Sequence, residues 1–212
     1  MLFSPQVLAS KTLARAGGGG GGPATTWNPS DKSASITLSN GNLTAADGST
    51  GDMGVRGTTS KSSGKYYAEF TTGATYSGGD TGLGIASSSA TLSSVGNTTS
   101  GCFAAFASAG TIYFNGASQG TGIGAIGAGQ VVCMAIDMDN KRGWLRLNTG
   151  NWNGFVSGDP ATNTSGIDIS SLFTSNAAFP LWCANVNGAS VTANFGGSAF
   201  TYTPPSGFSA WG

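Results

Sequence analysis

The sequence predicts an all-β protein in which two antiparallel sheets pack face to face. Three observations carry this. Short apolar runs recur along the chain, each bounded by Gly, Asn or Asp, the pattern of strands joined by hairpins. No window beyond residue 24 repeats with a helical period. Charged residues make up only 8% of the 212 residues, against about 25% in ordinary soluble domains, and Gly, Ser, Thr and Asn take the solvated positions instead.

Taken in order, Ile36 to Leu43 reads as a strand, an Asn-Gly turn and the start of a second strand. Tyr66 to Thr71 alternates, with Tyr66, Ala68 and Phe70 on one face and Tyr67, Glu69 and Thr71 on the other. Gly82 to Ala86 and Ile112 to Asn115 are two further short runs. Val131 to Ile136 is apolar without interruption, as expected of a strand covered on both faces. Asp137 to Gly143 turns the chain into Trp144 to Asn148, where Trp144 and Arg146 share one face and Leu145 and Leu147 the other. Phe179–Ala184 and Ala189–Phe195 read as a last hairpin around Asn185-Val186-Asn187-Gly188. The expected core is Tyr66, Phe70, Leu83, Ile85, Cys102, Val132, Met134, Ile136, Leu145, Leu147, Trp182 and Phe195.

Composition excludes several functions. Nine basic residues balance nine acidic ones, which argues against nucleic-acid binding, since that needs a basic patch. No apolar run approaches the roughly 18 residues of a membrane span. There is no histidine, so Ser-His-Asp and Cys-His catalysis and His-ligated metals are ruled out. Cys102, Cys133 and Cys183 lie in apolar contexts that match no zinc spacing and read as small core residues.

The chain divides into three parts. Residues 1–16 form an arm, 17–26 a glycine-rich linker and 27–212 the sandwich domain. In the arm Ser4 can cap a short helix that Pro5 begins, so the arm is expected to be extended or a short helix. Leu2, Phe3, Val7, Leu8 and Leu13 are too few for an independent fold and too apolar for a free tail, and they read as an assembly anchor. A signal peptide fits poorly, because Lys11 and Arg15 fall at the wrong end of the apolar stretch. Six consecutive glycines, Gly17 to Gly22, then uncouple the arm from the sandwich.

Four segments together resemble the SPRY (B30.2-like) domain family. They are Val55-Arg56-Gly57 with Gly64 to Phe70; Gly82 to Ala86; the Gly129 to Asn148 hairpin with Asp137, Asp139, Asn140 and Trp144; and Phe179-Pro180, Val191 to Gly196 and the close through Pro204-Pro205 and Gly207-Phe208. The resemblance covers roughly 27–212 and implies a jelly-roll-like antiparallel two-sheet sandwich. The chain lacks the PRY-type preamble. Its low charge and its Trp27-Asn28-Pro29 opening are similar to SPRY domains of bacteriophages and prophages.

This resemblance implies a binding platform and no enzyme, with no cofactor and no metal. Peptide-binding members use loops at one end of the sandwich, and the matching positions here are Arg56, Gly79, Asp80, Asn185, Asn187 and Gly188. Tyr76 or Trp152, if exposed, are the next choices. The function expected is a virion protein of the phage surface that decorates a capsid or tail, or adheres to the host. Its partners are then other virion proteins through the arm and a host-surface glycan or protein through the loops. Assembly as a homo-oligomer is compatible with this. A free extracellular or bacterial cytoplasmic adaptor that binds a peptide or glycan is the alternative, and a carbohydrate-active hydrolase is the third reading.

Two other motifs are read as structural. Gly122 to Gly127 spells G-x-G-x-x-G, but a strand follows it where a dinucleotide site needs a helix. Asp137 and Asp139 could form the carboxylate pair of a glycosidase, yet they fall at a hairpin end.

Overall fold

The computed structural model describes residues 24–76, 81–94, 100–106 and 109–212. The expected arm, with Leu2, Phe3, Val7, Leu8 and Leu13, lies outside these residues, as do Gly79 and Asp80. Strands β1 to β5 are Trp27–Lys32, Ile36–Ser39, Thr44–Asp47, Met53–Gly57 and Lys65–Thr72. Strands β6 to β10 are Gly82–Ala86, Cys102–Phe106, Thr111–Phe114, Ala117–Gly122 and Val131–Asp137. Strands β11 to β15 are Arg142–Leu147, Ile167–Asp168, Phe179–Ala184, Ser190–Asn194 and Ser209–Ala210. Helix among the described residues is confined to single turns, the one α-turn being Ser170–Phe173.

Two sheets result, as the alternation predicts. The first runs β1-β4-β13-β6-β7-β8-β9, and the second β12-β11-β10-β5-β14-β3-β2 with β15 added beside β5. The pairings are antiparallel except β15 on β5, which is parallel. The inner faces meet in a core that includes Trp27, Phe70, Leu83, Ile85, Val132, Met134, Leu145, Trp182 and Phe195.

Both outer faces are also covered, which explains the unbroken apolar runs. On the second sheet Val132, Met134 and Ile136 of β10 point into the core, while Val131, Cys133 and Ala135 point outward. The C-terminal segment lies over them with Phe200, Tyr202 and Phe208, and Trp152 completes the cover. Glu69, the single glutamate, holds this segment: its carboxylate accepts from the Tyr67 hydroxyl (2.9 Å) and from the backbone amides of Thr201 and Tyr202 (both 2.7 Å). The Arg146 guanidinium stacks on Trp152 at 4.4 Å, with Tyr202 at 5.8 Å. Gly84 is required where β6 and β7 approach, since a Cβ there would overlap the Phe103 carbonyl.

Most of the expected core is buried. Tyr66 and Leu147 are only partly so, because each lies near the end of its strand. The expected hairpin of Phe179–Ala184 with Ala189–Phe195 does not form. β13 sits between β4 and β6 in the first sheet, and β14 between β3 and β5 in the second. The Gly188 amide is spent on the Asp47 carbonyl (2.8 Å), so the Asn-Gly step carries the chain across the sandwich instead of folding it back. The Asn40-Gly41-Asn42 turn joins β2 to β3 as expected, with all three residues at positive φ.

Candidate functional site

The crossing from β13 to β14 defines one pole of the sandwich. Ala184 pairs with Met53 at the start of β4, whereas Trp27 pairs with Gly57 at its end. The segment Asn185–Gly188 therefore caps the pole opposite the one where the chain enters the domain. Asn187 and Gly188 are exposed, and Asn185 is half-buried. Asp47 pins this crossing from below, since its amide donates to the Ala189 carbonyl (2.9 Å) and its carbonyl accepts from Gly188. Gly188 adopts φ 84°, which suits glycine, and Thr75 lies close beside it. Burial pushes the Asp47 carboxyl above its ordinary value, against the hydrogen bonds from the Ser35 hydroxyl and the Ser49 and Gly48 amides.

Arg56 occupies the outer face of β4 and is 7% exposed. Its Nε and Nη2 donate to Asp31 at 2.8 and 2.9 Å. Its Nη1 donates to the carbonyls of Ser87 (3.0 Å) and Ala90 (2.8 Å). Arg56 thus ties edge strand β1 to the segment that crosses over the first sheet. The Ser33 hydroxyl adds a second tie, donating to the Leu92 carbonyl (2.7 Å) and accepting from the Gly54 amide (3.1 Å). Between these ties opens a cleft of about 300 Å³, lined by Ser30, Asp31, Lys32, Ser33, Arg56, Leu92 and Ser93.

Of the expected site residues, Arg56 walls this cleft, while Asn185, Asn187 and Gly188 form the loop at the pole beyond Met53, so the structure does not bring them together in one site. Tyr76 and Trp152, the next choices, are not surface residues: Tyr76 is fully buried in the core, and Trp152 is 7% exposed beneath the stacked Arg146. Aromatic residues in Gly-rich segments read as exposed, but here the segments fold inward around them. The cleft itself was not legible, because Ser30, Ser33 and Ser93 carry no motif. The exposed apolar pair Phe155 (42%) and Val156 (92%) was missed for the same reason.

Asp137 and Asp139 do not form a paired carboxylate site. Asp137 is fully buried, and its Oδ1 accepts from the amides of Asp139 (3.0 Å) and Asn140 (2.9 Å). Its Oδ2 meets Lys65 at 3.0 Å and the Asn140 side chain at 2.8 Å. Burial alone would raise its pKa, but Asn140 and Lys65 together hold it below the ordinary value. Asp139 caps the Gly64 amide (2.7 Å). Both serve the hairpin. Among the described residues no three His, Cys, Asp or Glu side chains come together as metal ligands, and no helix is long and apolar enough to cross a membrane.

Neither a protein-family model nor a curated protein sequence matches the chain. Solved structures do. The SPRY domain of human HERC1 aligns at TM-score 0.63 and 17% identity, covering 79% of this chain and 96% of that one. The chain has the SPRY fold. The PSpry domain of TRIM65 aligns on the same sandwich at TM-score 0.56 and 11% identity, covering 80% of this chain and 88% of that one. At such identities the SPRY likeness is one of architecture, the two-sheet antiparallel sandwich.

Proposed function

We propose that this chain is a non-enzymatic binding module of a bacteriophage virion, held to the capsid or tail by residues 1–16 and presenting its SPRY sandwich outward. The observation that carries this reading is the polarity of the sandwich. The chain enters at Trp27 beside Gly57, at the far end of β4 from the Asn185–Gly188 loop. An anchor at the entry pole leaves the loop pole facing away from the particle, with the cleft beside Arg56 on the flank between the two poles. The low charge and the run of six glycines support the same arrangement.

The ligand of the loop pole is a host-surface protein or glycan. The cleft is shallow, with the hydroxyls of Ser30, Ser33 and Ser93 and the half-buried carboxylate of Asp31 along its walls. Such a lining suits a polar ligand held by several hydrogen bonds. Arg56 shapes the cleft, while Asn187 offers contacts at the loop pole.

Deleting residues 1–22 tests the anchor and Asn187→Ala tests the display face. The truncated chain is expected to fold and to be lost from purified particles. The Asn187→Ala chain is expected to incorporate normally, keep its thermal stability and weaken host attachment. Full incorporation of the truncated chain would overturn the anchor and favour docking through the sandwich or a free adaptor.

A further inference from the structure

The sequence contains four Asn-Gly steps: Asn40-Gly41, Asn115-Gly116, Asn153-Gly154 and Asn187-Gly188. An Asn-Gly step can convert itself without an enzyme. The glycine backbone nitrogen gives its proton to solvent base and attacks the asparagine side-chain carbonyl carbon. A C–N bond forms, the side-chain nitrogen leaves as ammonia, and a succinimide ring remains. Water then opens either carbonyl–nitrogen bond of the ring, giving aspartate or isoaspartate. The reaction needs an accessible step, a glycine amide not engaged as a donor, and a side-chain amide free to turn toward it.

Three of the four steps fail these conditions. At Asn187-Gly188 the attacking amide donates to the Asp47 carbonyl at 2.8 Å. At Asn115-Gly116 the side-chain oxygen is held by the Gly101 amide at 2.9 Å. At Asn153-Gly154 the asparagine is fully buried, and its side chain bonds the Leu145 amide and the Gly143 and Ser165 carbonyls. The Gly154 amide also donates to Asn151.

Asn40-Gly41 differs on every count. Both residues are exposed. Among the described residues nothing accepts from the Gly41 amide or bonds the Asn40 side chain. Nothing lies within 4 Å of where a Gly41 side chain would begin. The turn must open for the attack, because ring closure needs rotation about the Asn40 Cα–C bond, which the turn fixes. One bond closes it, from the Leu43 amide to the Asn40 carbonyl at 3.1 Å, and β2 is an edge strand whose ladder runs to β3 alone. Opening therefore leaves the core untouched.

We infer that Asn40 is the site of spontaneous deamidation in the folded protein. The product makes a formally neutral chain anionic. Isoaspartate would also lengthen the turn by one backbone carbon, two residues from Asn42, whose carbonyl holds the Trp27 amide at 2.9 Å where the chain enters the sandwich.

The test is ageing of the purified full chain in mildly alkaline buffer, with peptide mapping by mass spectrometry and ion exchange over time. The Asn40 peptide is expected to gain the amide-to-acid mass first, while the peptides of Asn115, Asn153 and Asn187 stay unchanged. In denaturant all four are expected to convert at comparable rates. Asn40→Gln is expected to remove the first acidic species. Conversion at Asn187 or Asn115 that keeps pace with Asn40 in the folded chain would overturn the inference, as would an unaltered Asn40 in the folded chain.

Discussion

Arg56 and Asp31 meet as a two-pronged ion pair, Nε to Oδ2 at 2.8 Å and Nη2 to Oδ1 at 2.9 Å, in which only the aspartate is partly open to solvent. The remaining nitrogen is taken by two carbonyls. Breaking a buried pair by removing one partner leaves an uncompensated charge and costs about 3–5 kcal/mol. Arg56→Ala is expected at the low end of that range, since Asp31 keeps a third of its side chain exposed. Arg56→Lys keeps the charge but loses the fork, and is expected to fall between it and the parent. Urea midpoints check the order. Equal midpoints for all three would mean that Arg56 does not brace β1.

Leu145 lies on the inner face of β11 and is completely buried. Leu145→Ala is expected to cost about 2–5 kcal/mol, the transfer of the lost groups plus the cavity left behind. Denaturant unfolding with an unchanged slope would report it. A loss within the scale of surface substitutions, about 0.5 kcal/mol, would contradict the packing of the two sheets.

Glu69 accepts two backbone amides from the C-terminal segment. Glu69→Ala strands both donors, each at about 1–3 kcal/mol. The effect is expected first as local opening. Hydrogen exchange at Thr201 and Tyr202 should accelerate more than exchange in β10, and uniform acceleration would count against a local latch.

Asp137 predicts a pH dependence. Its pKa in the fold lies below the ordinary 3.8, because Asn140 and Lys65 outweigh the effect of burial. A depressed carboxyl stabilises the fold above its unfolded pKa and ceases to do so as pH falls through the folded value. Asp137→Asn is expected to lower stability at neutral pH, and its deficit relative to the parent should shrink below pH 3.8. A deficit that stays constant across that range would assign the loss to packing alone.

All three cysteines are buried thiols outside any disulfide, and burial pushes that of Cys102 up to about 12. Thiolate is the reactive form. The native protein is expected to be inert to a disulfide reagent and to react at three sites after unfolding. Rapid modification of the native chain would place a thiol at the surface.

The sandwich and most of its strands were legible in the residue pattern, because a buried face imposes alternation and each turn demands residues that tolerate positive φ. Tyr66 to Thr71, the Asn40–Asn42 turn and the Asp137–Gly143 turn were legible for that reason. Which sheet each strand joins depends on long-range packing. Phe179–Ala184 and Ala189–Phe195 look like one hairpin, since pairing partners are not written in alternation; the Gly188 bond to Asp47 sends them to different sheets. The candidate site depended on the same kind of information. The cleft beside Arg56 brings together residues from near positions 30, 56 and 92, and polar side chains so far apart in the chain carry no periodic signal until the sheets and the segment over them place them side by side.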